Sequence, residues 1–366
     1  MNALSQKPLK TRQICLFFIT FTPVLKFFMM PSVVAAEAGR DEWLCCIINV
    51  FIDFLTLAAL VFSCKSLETD FFGLCENAFG KTVAKVVYLF YALYFLTKAY
   101  LPITEQRDYV ELTLYNTLPS VMDFMPFMLL AYYFAHKKLR IIGRISDLFW
   151  LFALFAYVLM FALAISNTNL EALLPFAKTP AKKIAKGSFL SLNWYGDAAY
   201  FLFFVGNYKH GKGDTAKILL SYLLSAAFVL VFVVIFYGTF SSIAFRQRYA
   251  LTEMSKYSTI INNIGRFDYF AIFILLMLCV FSSALPLYFA SKLLCRVFNV
   301  KKKWILYTAL FAAYAAFLLI FNEYNASAEA FMMNYGGYAF LLFGNVAPLL
   351  IAFMALRFRK TGGEKA

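Results

Sequence analysis

Apolar residues run along this chain in long blocks separated by short polar stretches. A helix that crosses a bilayer needs about 20 apolar residues in succession. Ten blocks approach that length, at about 13–36, 43–64, 82–103, 121–136, 146–166, 188–208, 216–240, 267–295, 303–322 and 335–357. Each is read as a membrane-spanning helix. The longest connections, about 167–187 and 241–266, are too short for a soluble domain and have room for short interfacial helices. Asn167-Thr168-Asn169 and Lys178-Thr179-Pro180 read as turns. Lys7, Lys10 and Arg12 before the first block, with Ala35-Ala36 after it, have the outline of a secretory signal. Lys26 inside that block, its length and the nine blocks that follow predict a retained span instead.

No short repeat is visible, but a longer symmetry is. Five spans fall within 13–166 and five within 188–357, in nearly equal halves of a single transmembrane domain. An odd number of spans per half inverts the second half relative to the first. Secondary transporters use this arrangement, with interrupted helices at matching places. The first span of each half carries such an interruption. Thr22-Pro23 stands mid-span in the first, followed by Val24-Leu25-Lys26, and Asn193-Trp194-Tyr195-Gly196-Asp197 stands in the sixth. Proline removes a backbone donor and glycine relaxes the chain, so both free backbone groups for a ligand. The simpler alternative is a proline kink and a glycine packing contact.

Composition sharpens the class. Of 366 residues, 62% are hydrophobic and only 15% charged, with a mean hydropathy of +0.71. A soluble domain carries roughly 25% charged residues, so soluble, disordered and collagen-like classes are excluded. The net charge of +14 comes from clusters between the apolar blocks, which is the pattern of loops held on the cytoplasmic side rather than of a nucleic-acid surface. With the N-terminus inside, 22 Lys and Arg fall in inner segments and 11 in outer ones. Both termini are therefore expected in the cytoplasm. The seven cysteines form no CxxC pair and read as small buried hydrophobes. His136 and His210 both lie in basic loops, so no metal or cofactor is expected. GxGxxG, P-loop, HExxH and GxSxG patterns are missing, and no enzyme is expected.

An ionisable residue at membrane depth costs roughly 2.5–3.5 kcal/mol on insertion scales. The candidates are Lys26, Asp53, Lys98, Glu105, Asp197 and Asp268. Lys26 reads as a fixed ammonium beside the first break, either countering a carboxylate or occupying a cation site, or else as a structural residue that snorkels or pairs with Asp53. Asp197 reads as a carboxylate for a ligand's amino group or a proton, or as an N-cap where the helix resumes. Glu105, Arg107, Asp108 and Glu111 would line one end of the third span in polar rows, most simply as a solvated outer vestibule. Arg266 and Asp268 open the eighth span as an interfacial anchor.

Several stretches carry a resemblance. Met30-Pro31-Ser32 through Gly39-Arg40-Asp41-Glu42-Trp43 joins the first two spans, and Phe72 with Phe79-Gly80-Lys81 precedes the third. Leu118-Pro119, Leu173-Leu174-Pro175, Tyr195-Gly196-Asp197 and Arg266-Phe267-Asp268 follow in order. Together, over about 9–357, they resemble the spore-germination permease family. These are the membrane B subunits of germinant receptors, within the amino acid–polyamine–organocation transporter group. The resemblance implies an all-α, LeuT-like five-plus-five inverted repeat with broken first and sixth helices, in the spore inner membrane. It implies a small germinant, an amino acid, held between those helices by Thr22, Pro23, Val24, Leu25, Lys26, Tyr195, Gly196 and Asp197. Asp53, Glu105, Asp108, Arg266 and Asp268 would serve coupling or the vestibule. It also implies an A-type membrane subunit and a C-type lipoprotein as partners. The chain departs from the family in having Pro23-Val24-Leu25-Lys26 where glycine and small residues are usual, and Gly265 in place of an acid. The alternative readings are a proton-coupled amino acid transporter working alone, or a scaffold without a ligand site.

Overall fold

The computed structural model describes residues 9–64, 69–113, 120–256, 268–322 and 324–363. It is helical, and the only β pairing among the described residues is a single bridge between Leu9 and Tyr208. Seven described runs are long and apolar enough to span a bilayer: Met30–Ser63, Phe71–Glu111, Arg140–Ile165, Asp214–Arg246, Phe270–Val297, Lys303–Ile320 and Asn325–Met354. Phe124–Ala135 is a shorter apolar helix. Large apolar side chains such as Phe51, Phe62, Leu129, Leu148, Leu220 and Phe353 face outward. In water such a belt would drive association; around a bundle of spans it is the lipid-facing surface.

The remaining two passes are interrupted, at the two places the sequence marks. The first runs as Thr11–Phe21, a tight 3-10 turn at Val24–Phe27, then Met30–Ala38. Pro23 cannot continue the first helix, and Pro31 sits in the opening turn of the next, where its missing N–H costs nothing. Gly39, at φ +55°, ends that half and turns the chain into Glu42–Cys64. The sixth pass runs as Ala181–Ser191, a 3-10 turn at Leu192–Trp194, then Ala198–Phe204. Tyr195 is extended and Gly196 has φ +80°, a value that favours glycine. The halves Met30–Ala38 and Ala181–Ser191 pack on each other.

Some boundaries differ from expectation. The sixth pass begins at Ala181, inside a stretch read as a connection, because Lys182, Lys183 and Lys186 mask it. Its buried face is Gly187, Ser188 and Ser191, which are small and polar and carry no hydrophobic signal. The third pass is longer than expected, over Phe71–Thr113, with a kink at Gly80. The fifth begins at Arg140, and the last, from Asn325, contains two π-helical segments, Met332–Gly336 and Leu342–Val346. The 241–266 connection holds the short helices Ser241–Arg246 and Ala250–Lys256, and the 167–187 connection holds Leu170–Leu173, as its length allowed. Leu118-Pro119 and Arg266 lie outside the described residues, and of Asp268 only the backbone, as the first residue of its helix, is described.

Candidate functional site

The two breaks meet at the centre of the bundle, and four charged side chains converge there. Lys26 Nζ lies 2.5 Å from Asp197 Oδ2 and donates to the Thr22 carbonyl at 2.8 Å. The Thr22 carbonyl is free for this because the Lys26 N–H, its partner in a continuous helix, bonds the Pro23 carbonyl at 2.9 Å instead. Lys98, from the third pass, lies 3.7 Å from Asp197 Oδ1 and donates to the Tyr195 carbonyl. Asp53, from the second pass, accepts the backbone N–H of Gly196 at 3.0 Å and of Asp197 at 3.0 Å, both on Oδ2. The formal charges of two ammonium and two carboxylate groups cancel. All four residues are 5% exposed or less, so their pairing replaces water as the source of stabilisation.

Aromatic rings close around this centre. Lys26 Nζ sits 4.8 Å from the Tyr195 ring centroid, and Lys98 Nζ sits 5.3 Å from that of Tyr200 and 5.5 Å from that of Phe340. Each ring offers its negative face to an ammonium. Gly344, on the last pass, lies directly against Gly196: a Cβ on it would come within 2.9 Å of the Gly196 Cα. Two small voids flank the Lys26–Asp197 pair, each of about 10 Å³. That is about the volume one water needs, so the centre is closed and filled by the chain's own groups.

Several expected roles are corrected. Lys26 pairs with Asp197, not with Asp53. Asp53 instead caps the resumed sixth helix from a neighbouring span. Asp197 occupies the N-cap position, but its side chain makes no cap bond and turns to the two lysines. Of the other first-break residues, Thr22 and Leu25 border the voids, while Val24 is buried and Pro23 gives its carbonyl to the Lys26 N–H. Glu105 and Asp108 do not line a solvated vestibule. Glu105 is 4% exposed and accepts the Trp194 indole N–H at 2.8 Å, just outside the sixth break. Lys98 and Trp194 are site residues whose roles sequence reasoning missed. The signal for Lys98 was present: Tyr91, Tyr94, Lys98 and Glu105 recur at spacings of 3, 4 and 7, which is one face of a helix.

Asp108 belongs to a closure at one end of the bundle. Arg248 bridges Asp108 at 3.1 Å and Glu329 at 2.9 Å, tying the third pass to the last. Arg107 also pairs with Asp108, and Asn325 accepts from Tyr100 at 3.0 Å. Half-burial opposes the Arg248 charge, but the carboxylates of Glu329 and Asp108, with Tyr249, outweigh it and hold its pKa above the ordinary guanidinium value. At the opposite end, Phe203 and Phe289 stack with centroids 4.3 Å apart, and Phe95 and Tyr200 complete a layer beneath Lys98. Below that layer a cavity of about 730 Å³ opens.

A family model described as "Spore germination protein" matches residues 9–327 of the chain. The matched stretch ends within the first residues of the last pass, the rest of which the sequence resemblance had included. No curated sequence relative matches. Among solved structures, a manganese transporter of Eremococcus coleocola, in complex with an aromatic bis-isothiourea substituted compound, is similar at TM-score 0.58 and 10% identity, over 95% of this chain and 76% of that one. The nucleobase-cation-symport-1 family transporter Mhp1, closed with bromovinylhydantoin bound, is similar at TM-score 0.53 and 14% identity, over 98% of this chain and 94% of that one. At such identities these likenesses establish the fold, a LeuT-type transporter architecture, and nothing further.

Proposed function

The chain belongs to the spore germination protein family, and from that membership we propose that it is the membrane subunit of a spore germinant receptor, with a small germinant bound near the bilayer midplane. The observation that carries this reading is the electroneutral centre of Lys26, Lys98, Asp53 and Asp197 at the paired breaks. A zwitterionic amino acid offers one ammonium and one carboxylate. Exchanged into the centre, its ammonium would take Asp197 and its carboxylate would take the lysines, so no net charge is added to a dry site. The centre is closed in this state, so binding requires the halves of the first and sixth passes to part. A ligand drives such a change only through its differential affinity for the open and closed states. The change would be relayed to an A-type membrane subunit and a C-type lipoprotein in the spore inner membrane, with both termini of this chain cytoplasmic. The reading treats 13–166 and 188–357 as the two inverted halves.

The alternative is a proton-coupled amino acid transporter acting alone. Lys26 weighs against cation coupling, because a tethered ammonium already occupies the face of Asp197 that a mobile cation would need. The two lysines likewise repel a divalent cation such as the neighbouring manganese transporter's cargo. The test is germination of spores carrying Asp197→Asn or Lys26→Met, against amino acids, nucleosides and sugars. Loss of the response to one germinant, with the protein still in the membrane, is the expected result. An unchanged response in both variants removes this site from germinant sensing, and uptake by vesicles holding this chain alone would favour the transporter.

A further inference from the structure

The cavity of about 730 Å³ beneath the Phe203–Phe289 layer has a composition that its membrane position alone does not explain. Its wall includes His136, Lys137, Lys138, Lys292, Arg296 and Lys303, against one carboxylate, Asp70. Loops rich in Lys and Arg are expected at one end of a membrane protein. That tendency does not make basic residues from three separate segments converge on one hollow. At the same end two other cations do have carboxylate partners: Arg12 meets Asp147 at 3.0 Å and Lys217 meets Asp214 at 3.4 Å. Around the cavity, Arg296 and Lys303 have no carboxylate within salt-bridge distance among the described residues. Asp70 is partly engaged, accepting the Gly73 N–H at 2.9 Å.

Two of the cations are held in place. Arg296 sets its guanidinium carbon 4.9 Å from the Phe72 ring centroid, an attraction that does not consume its N–H donors. Those donors are the part of arginine that fits a planar or tetrahedral oxyanion. Lys292 donates to the carbonyls of Ala135 at 2.8 Å and Lys137 at 3.1 Å, so it fixes the 135–139 turn and the basic side chains that follow. Lys303 opens the helix Lys303–Ile320, whose N-cap, Lys302, makes no side-chain cap bond. The positive end of that helix therefore adds to the field at the cavity wall. The inner wall is aromatic, through Phe71, Phe72, Phe203 and Phe289.

We propose that this cavity is a binding site for a phosphate-bearing anion, supplied either by a soluble phosphate compound or by an anionic phospholipid headgroup. The basic rim takes the phosphate and the aromatic wall takes the body attached to it. The site lies on the opposite side of the aromatic layer from the central charges and does not depend on what binds there.

The test uses the full chain purified in detergent. Its apparent melting temperature is followed against inorganic phosphate, phenyl phosphate and short-chain phosphatidylglycerol, with sodium chloride at matched ionic strength and short-chain phosphatidylcholine as controls. The variants are Arg296→Gln with Lys303→Gln, both at exposed positions, and Arg12→Gln as a paired cation at the same end. The expected result is stabilisation by at least one phosphate compound beyond chloride, with apparent affinity weakened ~10-fold in the double variant and unchanged in Arg12→Gln, as losing two charge-assisted contacts requires. Response to phosphatidylglycerol alone identifies a lipid source, and response to phenyl phosphate alone a soluble one. Stabilisation equal to that by chloride, or equal affinity in the double variant, overturns the proposal. If the double variant melts earlier without ligand, direct binding of radiolabelled phosphate to the folded fraction decides the matter in the same terms.

Discussion

Lys26 Nζ and Asp197 Oδ2 stand 2.5 Å apart although 171 residues separate them in the chain. They are the point at which the broken first and sixth passes are joined. Removing one member leaves the buried four-group centre with an unbalanced charge, which is expected to cost about 3–5 kcal/mol. Lys26→Met and Asp197→Asn should each lower the apparent melting temperature in detergent. The double variant should be less destabilised than the two losses combined, since neither charge is then left alone. Additive losses would mean that the pair does not act as a unit.

Asp53 caps a helix that is not its own. Its carboxylate takes the N–H groups of Gly196 and Asp197, the orphan donors where the sixth pass resumes. Asp53→Ala should destabilise by about 1.5–3 kcal/mol, the value of hydrogen bonds to a charged group. Asp53→Asn should do less, because an amide oxygen can still accept. Thermal melts of the two variants side by side check the order.

The break at Gly196 was legible in the sequence, because glycine and proline act on the backbone alone and need no knowledge of the fold. So was the presence of charges at membrane depth. Which charge meets which was not. Asp53 was one of the alternatives open for Lys26, because the rotation of each helix about its axis decides contact, and sequence spacing within one helix says nothing of its neighbour's rotation. Ala181–Ser191 was illegible for a different reason. Its buried stripe is built of glycine and serine for close approach, with a Cβ at Gly187 coming within 2.9 Å of Cys45 Sγ. Periodicity analysis detects bulky apolar side chains and passes over such a stripe. The closure through Arg248 joins segments distant in sequence and left no local pattern.

Gly344 should be intolerant of any side chain. An added Cβ meets the Gly196 backbone at 2.9 Å, and backbone cannot rotate away as a side chain can. Gly344→Ala should cost about 1–3 kcal/mol as an overpacked contact. It should also weaken the germination response by displacing the last pass from the break. Apparent melting temperature and germination rate measured on the same variant test both.

Arg248 ties the third pass to the last at one end of the bundle through Asp108 and Glu329. Arg248→Ala should shift the population toward a form open at that end. Cys46 is fully buried beside the central site, whereas Cys75 is fully buried away from it. Peptide-resolved alkylation should therefore speed at Cys46 and stay unchanged at Cys75. Equal rates at both positions in wild type and variant would show that this ion pair does not gate the centre.

Glu42 is fully buried, and neither carboxyl oxygen has a hydrogen-bond partner among the described residues. An apolar replacement removes that unsatisfied group. Glu42→Leu is expected to raise stability by about 1–3 kcal/mol, read as a higher apparent melting temperature.

The central claim is that the Lys26, Lys98, Asp53 and Asp197 centre receives the germinant. It is tested most directly by equilibrium binding of radiolabelled amino acids, nucleosides and sugars to the purified chain, with Lys26→Met and Asp197→Asn alongside. The expected result is a zwitterionic ligand that binds the native chain and is lost in both variants. A ligand that binds all three proteins with equal affinity would contradict the account.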